Sequence, residues 1–367
     1  MYFCIRTHSS KPGTQTAAGQ AVLFAASNSS TLGQIGEAMK SQRRNSVLTS
    51  MYGLMAAAFL CLTWSGPSAA QDKIRIGVGV DPSYTTWWVA QDKGFFAKHN
   101  IKAELTQFPS GAEIADGVMA GELDFGASGT ATWMPRFVRS DNLRILGTQA
   151  TSTDNFKMAS LTSLKTLADV KGKKLGTVQG STSDYLWALV AKKLNVPESE
   201  LGITPVSPPE LPAALDRGDI QAFFVWEPWP TKAVQISGKD KVHILASSGD
   251  VGYFQSFVIV GNKNFIQSHP DVTVRMLVAM REASDFMKKD RADAVKITAA
   301  RNKMSADMAE YIMGLYNFEI AFGDTIVSGA KVEEAWMRSK ERLKGDPINW
   351  NTVVDRSYFD KSASAKN

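Results

Sequence analysis

From residue 73 onward, apolar and polar residues follow two patterns in turn. Short segments with a period of two residues, typical of strands, alternate with segments that have the period of about 3.6 residues typical of helices. Lys73–Val80 alternates apolar residues with polar or small ones, which predicts a strand. Thr85–His99 places Trp88, Val89 and Phe95 where one helix face could meet a core. The next segments predict strand, helix, strand, helix and strand at Ile101–Phe108, Ala112–Ala120, Leu123–Ala127, Thr130–Arg139 and Leu143–Gln149. Strands alternating with short helices are typical of βαβ units and favour a mostly parallel sheet.

The alternation restarts further along the chain. Its predicted strands are Lys174–Val178, Ile203–Val206, Ile220–Trp226, Lys241–Ala246 and Phe254–Val260. Its predicted helices are Leu164–Val170, Ser183–Leu194, Pro212–Arg217 and Pro228–Ser237. The pattern then becomes purely helical, with helices predicted at Pro270–Lys289, Arg291–Lys303, Ala306–Tyr316 and Lys331–Leu343. A second strand–helix set inserted between the first set and a helical tail indicates an α/β protein of two lobes.

Two chain crossings would join such lobes. We predict that residues 71–153 and 256–367 form the first lobe and that residues 154–255 form an inserted second lobe. The candidate hinges are Thr151–Asn155 and Gly252–Gln255, because both are polar or contain glycine and both adjoin a strand. Hinges of this kind permit rigid-body closure around a ligand.

The N-terminal segment has the pattern of a secretory signal peptide. A basic start with Lys40 and Arg43 precedes the apolar run Met51–Trp64, and small residues follow up to Ala70. The run of 14 residues is shorter than the roughly 20 that a spanning helix needs. We therefore predict that residues 1–70 are a leader, with translation starting at Met39, a signal peptide over residues 39–70, and export to the periplasm.

Removing this leader changes the charge and the cysteine count. The leader carries five of the basic residues and one acid, which leaves 36 basic and 35 acidic residues after residue 70. A nearly neutral chain has little attraction for nucleic acid, and we predict no nucleic-acid partner. Both cysteines, Cys4 and Cys61, lie in the leader, so the remaining chain has neither a disulfide nor a thiolate metal site. We predict no metal and no cofactor.

Three predicted strand-to-helix junctions carry small polar residues: Asp81–Thr86, Ser128–Thr130 and Gln179–Ser183. In parallel α/β sheets ligands bind beyond the carboxyl ends of the strands. The helix that follows offers unpaired N–H groups and a positive dipole end, which suit an oxyanion. The candidate ligand-binding residues are Ser83, Thr85, Ser128, Gly129, Thr130, Gly180, Ser181 and Thr182. The alternative is that these hydroxyls are ordinary helix N-caps.

Aromatic side chains supply candidate cleft walls. Tyr84, Trp87, Tyr185 and Trp226 are placed to shield a ligand, whereas Trp88, Trp187 and Trp229 suit a core. Glu227 has two interpretations: it accepts a hydrogen bond from a ligand amine, or it is an acid in the first turn of a helix. The chain contains no HExxH, GxSxG, Walker or GxGxxG pattern, so we predict a binding protein without catalytic residues.

Five stretches give the chain its resemblance to a known family. They are Trp87–Ile101, Ser110–Gly129, Leu167–Tyr185, Ala214–Trp229 and Phe257–Asp271. In their order and motifs the chain resembles the ABC-transporter solute-binding proteins of the nitrate/sulfonate/taurine family. The resemblance covers the chain from Lys73 onward and implies a periplasmic-binding-protein fold of the two-hinge, clamshell kind.

The same resemblance implies a role. A monomer would capture a small anion of the sulfonate, taurine or nitrate class by lobe closure and deliver it to an ABC permease in the inner membrane. By family pattern, Ser83–Trp87, Ser128–Thr130, Gly180–Thr182 and Trp226–Pro228 would line the cleft. The alternatives share the fold: a binding protein for a thiamine-pyrimidine precursor, or an enzyme of thiamine-pyrimidine synthesis. Those enzymes carry a cysteine-rich motif that residues 71–367 lack.

Overall fold

The computed structural model describes residues 70–365, and within them the strands form two five-stranded sheets. The predicted leader, with its start at Met39, lies outside the described residues. The first sheet has the order β2–β1–β3–β10–β4. Its strands are β1 (Asp72–Val78), β2 (Ile101–Gln107), β3 (Phe125–Gly129), β4 (Leu143–Ser152) and β10 (Gln255–Asn262).

The second sheet has the order β7–β6–β8–β5–β9. Its strands are β5 (Phe156–Leu161), β6 (Lys174–Thr177), β7 (Gly202–Pro205), β8 (Ala222–Trp226) and β9 (Val242–Ser247). Strand β5 was not predicted, because it is buried on both faces and lacks the alternation of polar and apolar residues that reveals a half-exposed strand.

Both sheets are mostly parallel, as predicted, but each contains one reversed strand. Strand β1 runs parallel to β2 and β3, and β6 runs parallel to β7 and β8. Strand β10, however, is antiparallel to both β3 and β4, and β5 is antiparallel to both β8 and β9. The reversed strands directly follow the two passages of the chain between the sheets, at residues 153–155 and 253–254, so each strand enters its sheet against the direction of its neighbours.

Helices cover both sheets and form the C-terminal part. Those before β10 are α1 (Thr85–Asp92), α2 (Phe95–Lys98), α3 (Gly111–Ala120), α4 (Thr130–Arg139), α5 (Thr182–Leu194), α6 (Leu211–Arg217) and α7 (Trp229–Ser237). Those after it are α8 (Lys263–Ser268), α9 (Pro270–Lys289), α10 (Arg291–Asn302), α11 (Ala306–Met313), α12 (Thr325–Ser339), α13 (Trp350–Val353) and α14 (Ser357–Ser364). Among residues 70–365, none of these helices combines the length and apolar character needed to cross a membrane.

Two helical predictions differ from the structure for local reasons. The helix predicted over Thr85–His99 is divided into α1 and α2, because Gly94 has a φ of +74°, a left-handed conformation that ends a helix. The segment predicted as a helix at Leu164–Val170 contains only a short 3₁₀ turn, Leu167–Val170, which a Thr166–Asp169 capping box holds in place.

Each sheet has its own apolar core. The first core contains Ile74 and Ile76 of β1, Trp87 of α1 and Met276 of α9. The second sheet is packed on one face by α5, which contributes Leu186 and Trp187, and on the other by α6 and α7. The separation of the two cores agrees with a two-lobed α/β fold, and it leaves the carboxyl ends of the parallel strands free to face a space between the sheets.

Candidate functional site

A cleft of about 610 Å³, including space open to solvent, lies between the two sheets. From the first sheet and its helices it is lined by Gly79, Asp81, Tyr84, Pro109, Ser110, Gly111, Ala112, Ser128, Gly129, Thr132, Gln255 and Phe257. From the second it is lined by Phe156, Val178, Gln179, Ser181, Thr182 and Trp226. Several of these residues follow the carboxyl ends of β1, β3, β6 and β8, where parallel α/β sheets hold their ligands.

Helices α3 and α4 both begin at this cleft. Neither N-cap residue, Ser110 or Gly129, accepts a hydrogen bond from the first N–H groups of its helix, although the Ser110 hydroxyl donates to Glu113 Oε1 of α3 at 3.3 Å. The first N–H groups of a helix have no acceptor within the helix, and the dipole makes this end positive. Two ten-residue helices therefore present uncapped N-terminal turns to the same space, an arrangement that suits an oxyanion.

Ser128 lies between these two helix starts. Its hydroxyl is buried and has no hydrogen-bond partner in the described part of the chain. A Cβ placed on Gly111 would lie only 2.6 Å from the Ser128 Cβ, so glycine is what lets α3 approach this side chain. A buried hydroxyl without a partner costs about 1–3 kcal/mol, which a ligand acceptor would recover.

Helix α5 differs from α3 and α4 because a side chain caps it. The Ser181 Oγ accepts a hydrogen bond from the Ser183 N–H at 3.1 Å and donates to the Val178 carbonyl at 2.7 Å. Thr182 is buried beside the first sheet, and a Cβ on Gly129 would come within 2.9 Å of its Oγ1. The Ser181 hydroxyl is therefore already used by the protein.

We expect Ser181→Ala to lower the free energy of unfolding by about 1 kcal/mol, because it removes an N-cap. Ser181→Asn should restore most of that stability, since asparagine caps helices as well as serine does. Urea unfolding of the two variants checks the expectation. Equal losses in both variants would contradict a capping role.

Asp81 brings a carboxylate into the cleft. It follows β1, is 8% exposed, and its Oδ1 accepts the Ser83 N–H at 2.9 Å. Burial in a poorly solvated position disfavours the charged form and raises its pKa from 3.8 to about 6, against a smaller lowering by the hydrogen bonds from Ser83. In the sequence, Asp81 stands out only as the first residue of the junction Asp81–Thr86.

Aromatic rings form the apolar walls of the cleft. Phe156 and Trp226 contact each other edge to face, with ring centroids 6.1 Å apart. On the opposite side, the Tyr84 hydroxyl donates to the Ala127 carbonyl at 2.8 Å, which fixes that ring beneath the cleft. Phe257 of β10 completes the wall. Of the predicted aromatic residues, Tyr84 and Trp226 line the cleft.

Other predicted site residues lie outside it. Trp87 is fully buried in the first core, where its Nε1 donates to Gln149. Ser83 and Thr85 are also fully buried, and the Thr85 hydroxyl donates to the Pro82 carbonyl at 2.7 Å. These three side chains are turned into the protein because α1 packs its first turn against the first sheet and α10.

Glu227 is not among the cleft-lining residues. It is completely buried, and its two oxygens accept the Thr231 Oγ1–H at 2.8 Å and the Thr231 N–H at 3.1 Å. Burial raises its pKa, although these hydrogen bonds oppose the shift. Of the two interpretations offered for this acid, the geometry favours interaction with the first turn of α7.

Gly180, Thr130 and Tyr185 also lie beside the cleft rather than in it. The Gly180 N–H donates to Asp184 Oδ2 at 2.8 Å. The Thr130 hydroxyl donates to the buried Glu333 of α12, whose other oxygen accepts from the Tyr253 hydroxyl at 2.9 Å. Tyr185 packs against Trp336 of α12, with ring centroids 4.7 Å apart. Helix α12 thus contacts α4, the passage at Tyr253 and α5.

Comparison with known proteins identifies the family. A model of the NMT1-like family matches residues 68–301. The chain belongs to the NMT1-like family. A binding protein of Brucella abortus (strain 2308) is 26% identical over 66% of this chain and 76% of its own length. The taurine-binding periplasmic protein of Escherichia coli (strain K12) is 28% identical over 54% of this chain and 62% of its own length.

A solved structure shows the fold. The alkanesulfonate-binding protein SsuA from Xanthomonas axonopodis pv. citri, bound to MOPS, has a TM-score of 0.69 with this chain at 17% identity, covering 79% of this chain and 100% of that protein. The predicted periplasmic-binding-protein fold is therefore confirmed. The relatives and structural neighbours of this NMT1-like chain include ABC-type solute-binding proteins, as the resemblance in sequence indicated.

Sequence reasoning missed several residues that line the cleft of this NMT1-like protein. The most important are Asp81, Ser110, Gly111, Phe156 and Gln255. Two signals were available: an acid directly after a strand and before a proline at Asp81, and a Ser-Gly pair before the helix at Ser110. Phe156 and Gln255 gave no local signal, because they reach the cleft only through strands β5 and β10 at the passages between the sheets.

Proposed function

We propose that this protein is the extracytoplasmic solute-binding component of an ABC importer and that it captures a small oxyanion by closure of two lobes. The lobes are residues 71–153 with 256–367 and residues 154–255, and the hinges lie at the two passages between the sheets. The solute would be passed to a permease in the inner membrane by a periplasmic monomer. Relatives with sulfonate, taurine and nitrate ligands in their names support this class of solute.

The buried Ser128 hydroxyl at the uncapped starts of α3 and α4 is the observation that carries the proposal. It offers a donor for an acceptor that the protein itself does not provide. The cleft-lining side chains of residues 70–365 include no histidine, cysteine or lysine, which favours binding over catalysis as the role of this cleft. Its aromatic walls would also suit a heterocycle, so a thiamine-pyrimidine precursor is the second candidate solute.

A ligand screen tests the proposal. The protein from residue 71 would be examined by thermal unfolding with nitrate, bicarbonate, alkane- and arylsulfonates, taurine and thiamine pyrimidines, because a ligand that binds only the folded state raises the unfolding temperature. We expect stabilisation by oxyanions. Stabilisation by the heterocycles alone would replace the oxyanion proposal with the second candidate, and turnover of any ligand would contradict a binding role.

Ser128→Ala is expected to weaken the affinity for the oxyanion about tenfold or more, because it removes a hydrogen bond to a charged group. The unfolding free energy of the ligand-free protein should stay the same or rise, since the lost hydroxyl has no partner. Isothermal titration calorimetry and urea unfolding measure the two quantities.

Ser160→Ala is the matched control. Ser160 lies in β5, outside the cleft, and its hydroxyl is likewise buried without a partner in the described chain. The control should leave the affinity unchanged. An unchanged affinity in Ser128→Ala would show that the Ser128 hydroxyl does not bind the ligand.

A further inference from the structure

Asp81 is the only residue with a full charge among the described residues that line the cleft. An oxyanion in this space would therefore meet a carboxylate and no cationic side chain. Like charges held close together in a poorly solvated site repel each other strongly. Capping of the turn Pro82–Tyr84 explains an acceptor at this position, but an uncharged asparagine would cap it equally well, so the charge itself points to the ligand.

The surroundings of Asp81 do not neutralise it. Its Oδ1 accepts the Ser83 N–H, and in the described part of the chain no lysine or arginine acts on its ionisation. Tyr84 and Tyr316 are themselves buried; burial raises the pKa of both, and the charge of Asp81 raises it further. A buried carboxylate is costly unless it is paired. Apart from Ser83, the Asp81 carboxylate has no hydrogen-bond partner among residues 70–365, and the residue lines the cleft.

Glu227, the other acid considered for contact with a ligand amine, is less suitable. Thr231 occupies both of its oxygens, and it does not line the cleft. Asp81 therefore has the exposure to the cleft that Glu227 lacks, although both acids are buried.

The lining of the cleft thus combines two polar features of opposite preference. The starts of α3 and α4, with Ser128, present donors, whereas Asp81 presents an acceptor with negative charge. The rings of Phe156, Trp226 and Phe257 line the same cleft and suit an apolar ligand body.

We propose that the solute is a zwitterion: an oxyanion that also carries a protonated amine, with Asp81 as the residue that selects for the amine. This inference rests on the proposed function and specifies its ligand. The amine would donate a charge-assisted hydrogen bond to the Asp81 carboxylate, while the oxyanion is held at the helix starts.

Matched ligand pairs test the inference without any variant. Taurine is compared with ethanesulfonate, and 4-(aminomethyl)benzenesulfonate with 4-methylbenzenesulfonate, by calorimetry at pH 7.5 in buffers free of other amines and sulfonates. The wild-type protein should bind the amine-bearing member of at least one pair about thirtyfold or more tightly, because an unpaired buried charge costs that much in affinity.

Asp81→Asn separates charge from structure, because asparagine keeps an acceptor for the Ser83 N–H and is an equally good cap. The variant should lose the preference for the amine and bind the amine-free sulfonate as tightly as the wild type or more tightly, since the repulsion is removed. Glu227→Gln is the comparison variant and should retain the wild-type preference. If the role of Asp81 were only structural, Asp81→Asn would instead lower the affinity for both members of a pair equally.

The outcomes are distinguishable. If the wild type binds both members of each pair equally, the zwitterion inference is wrong while the proposed oxyanion function stands. If Glu227→Gln rather than Asp81→Asn abolishes the preference, Asp81 is not the selecting residue. If no oxyanion of either kind binds, the proposed function fails and the inference falls with it.

Discussion

Replacing Trp87 by alanine is expected to lower the free energy of unfolding by about 3–5 kcal/mol, the usual cost of deleting a buried aromatic side chain. Trp87 is fully buried, and its ring lies 6.4 Å from that of Phe96. Its Nε1 donates to Gln149, whose Nε2 in turn donates to the Ser83 carbonyl at 2.9 Å. The substitution would open a large cavity and leave the buried Gln149 oxygen without its donor.

Trp229→Ala provides the control for residue type. Trp229 is only partly buried at the start of α7, where Lys232 lies over its ring. We therefore expect Trp229→Ala to lower the free energy of unfolding, measured in urea, by less than half as much as Trp87→Ala does. Trp87→Phe should keep the ligand affinity of the wild type, because position 87 does not line the cleft. A loss of ligand affinity in Trp87→Phe without a loss of stability would show that Trp87 contacts the ligand.

Glu333→Gln is expected to change how stability depends on pH. Burial raises the pKa of Glu333 from 4.5 to about 7 in the folded protein, although the hydrogen bonds from Thr130 and Tyr253 oppose the shift. Because the folded state holds the proton more tightly, the stability from this group is complete below pH 4.5 and is lost as pH rises through 7. A shift of this size corresponds to about 3 kcal/mol.

Glutamine keeps the shape of this side chain but cannot ionise. Relative to wild type, Glu333→Gln should therefore gain stability progressively between pH 4.5 and 7, reaching about 3 kcal/mol at pH 8. Urea unfolding at intervals from pH 4 to pH 8 measures the difference between the two proteins. A difference that does not vary with pH would show that Glu333 does not titrate in this range.

The neighbouring Glu334 is a control, because its contribution to stability should depend on pH in the opposite direction. Its pKa is lowered because hydrogen bonds from the Ile348 N–H, Arg338 and Trp350 stabilise the carboxylate against the cost of burial. Its contribution to stability is present above pH 4.5 and is lost as pH falls. Glu334→Gln should therefore destabilise the protein at neutral pH and approach the wild type in acid.

The periodic parts of the sequence determined most of the elements. Helix α4 begins and ends where predicted, as does α9, which starts at Pro270 and ends at Lys289. Both boundaries of α9 follow from local chemistry, because proline suits the first helical turn and basic residues suit the last, and α4 likewise ends at a basic residue, Arg139. The two-lobed fold class also followed from the interrupted strand–helix pattern and was confirmed.

Elements that depend on distant contacts were not predictable in the same way. Helix α12 starts at Thr325, six residues before the predicted Lys331, because Ser328, Gly329 and Ala330 look like a turn. Burial of Ile326 and Ala330 in the first core outweighs the weak helix preference of these small residues. The direction of β5 and β10 likewise follows from where the chain passes between the sheets.

In the candidate site, too, the sequence predicts some features and the tertiary structure decides others, here for single hydroxyl groups. Ser128 and Ser181 are equivalent in sequence, since each lies at a strand-to-helix junction followed by threonine within two residues. In the structure the Ser181 hydroxyl is consumed in capping α5, whereas the Ser128 hydroxyl is buried without a partner beside α3. The sequence by itself determined which junctions carry hydroxyls. Near neighbours, Val178 and Ser183, use the Ser181 hydroxyl. Only the tertiary structure decided that the Ser128 hydroxyl is buried without a partner among the described residues, because α3, which is remote in the chain, packs Gly111 against it.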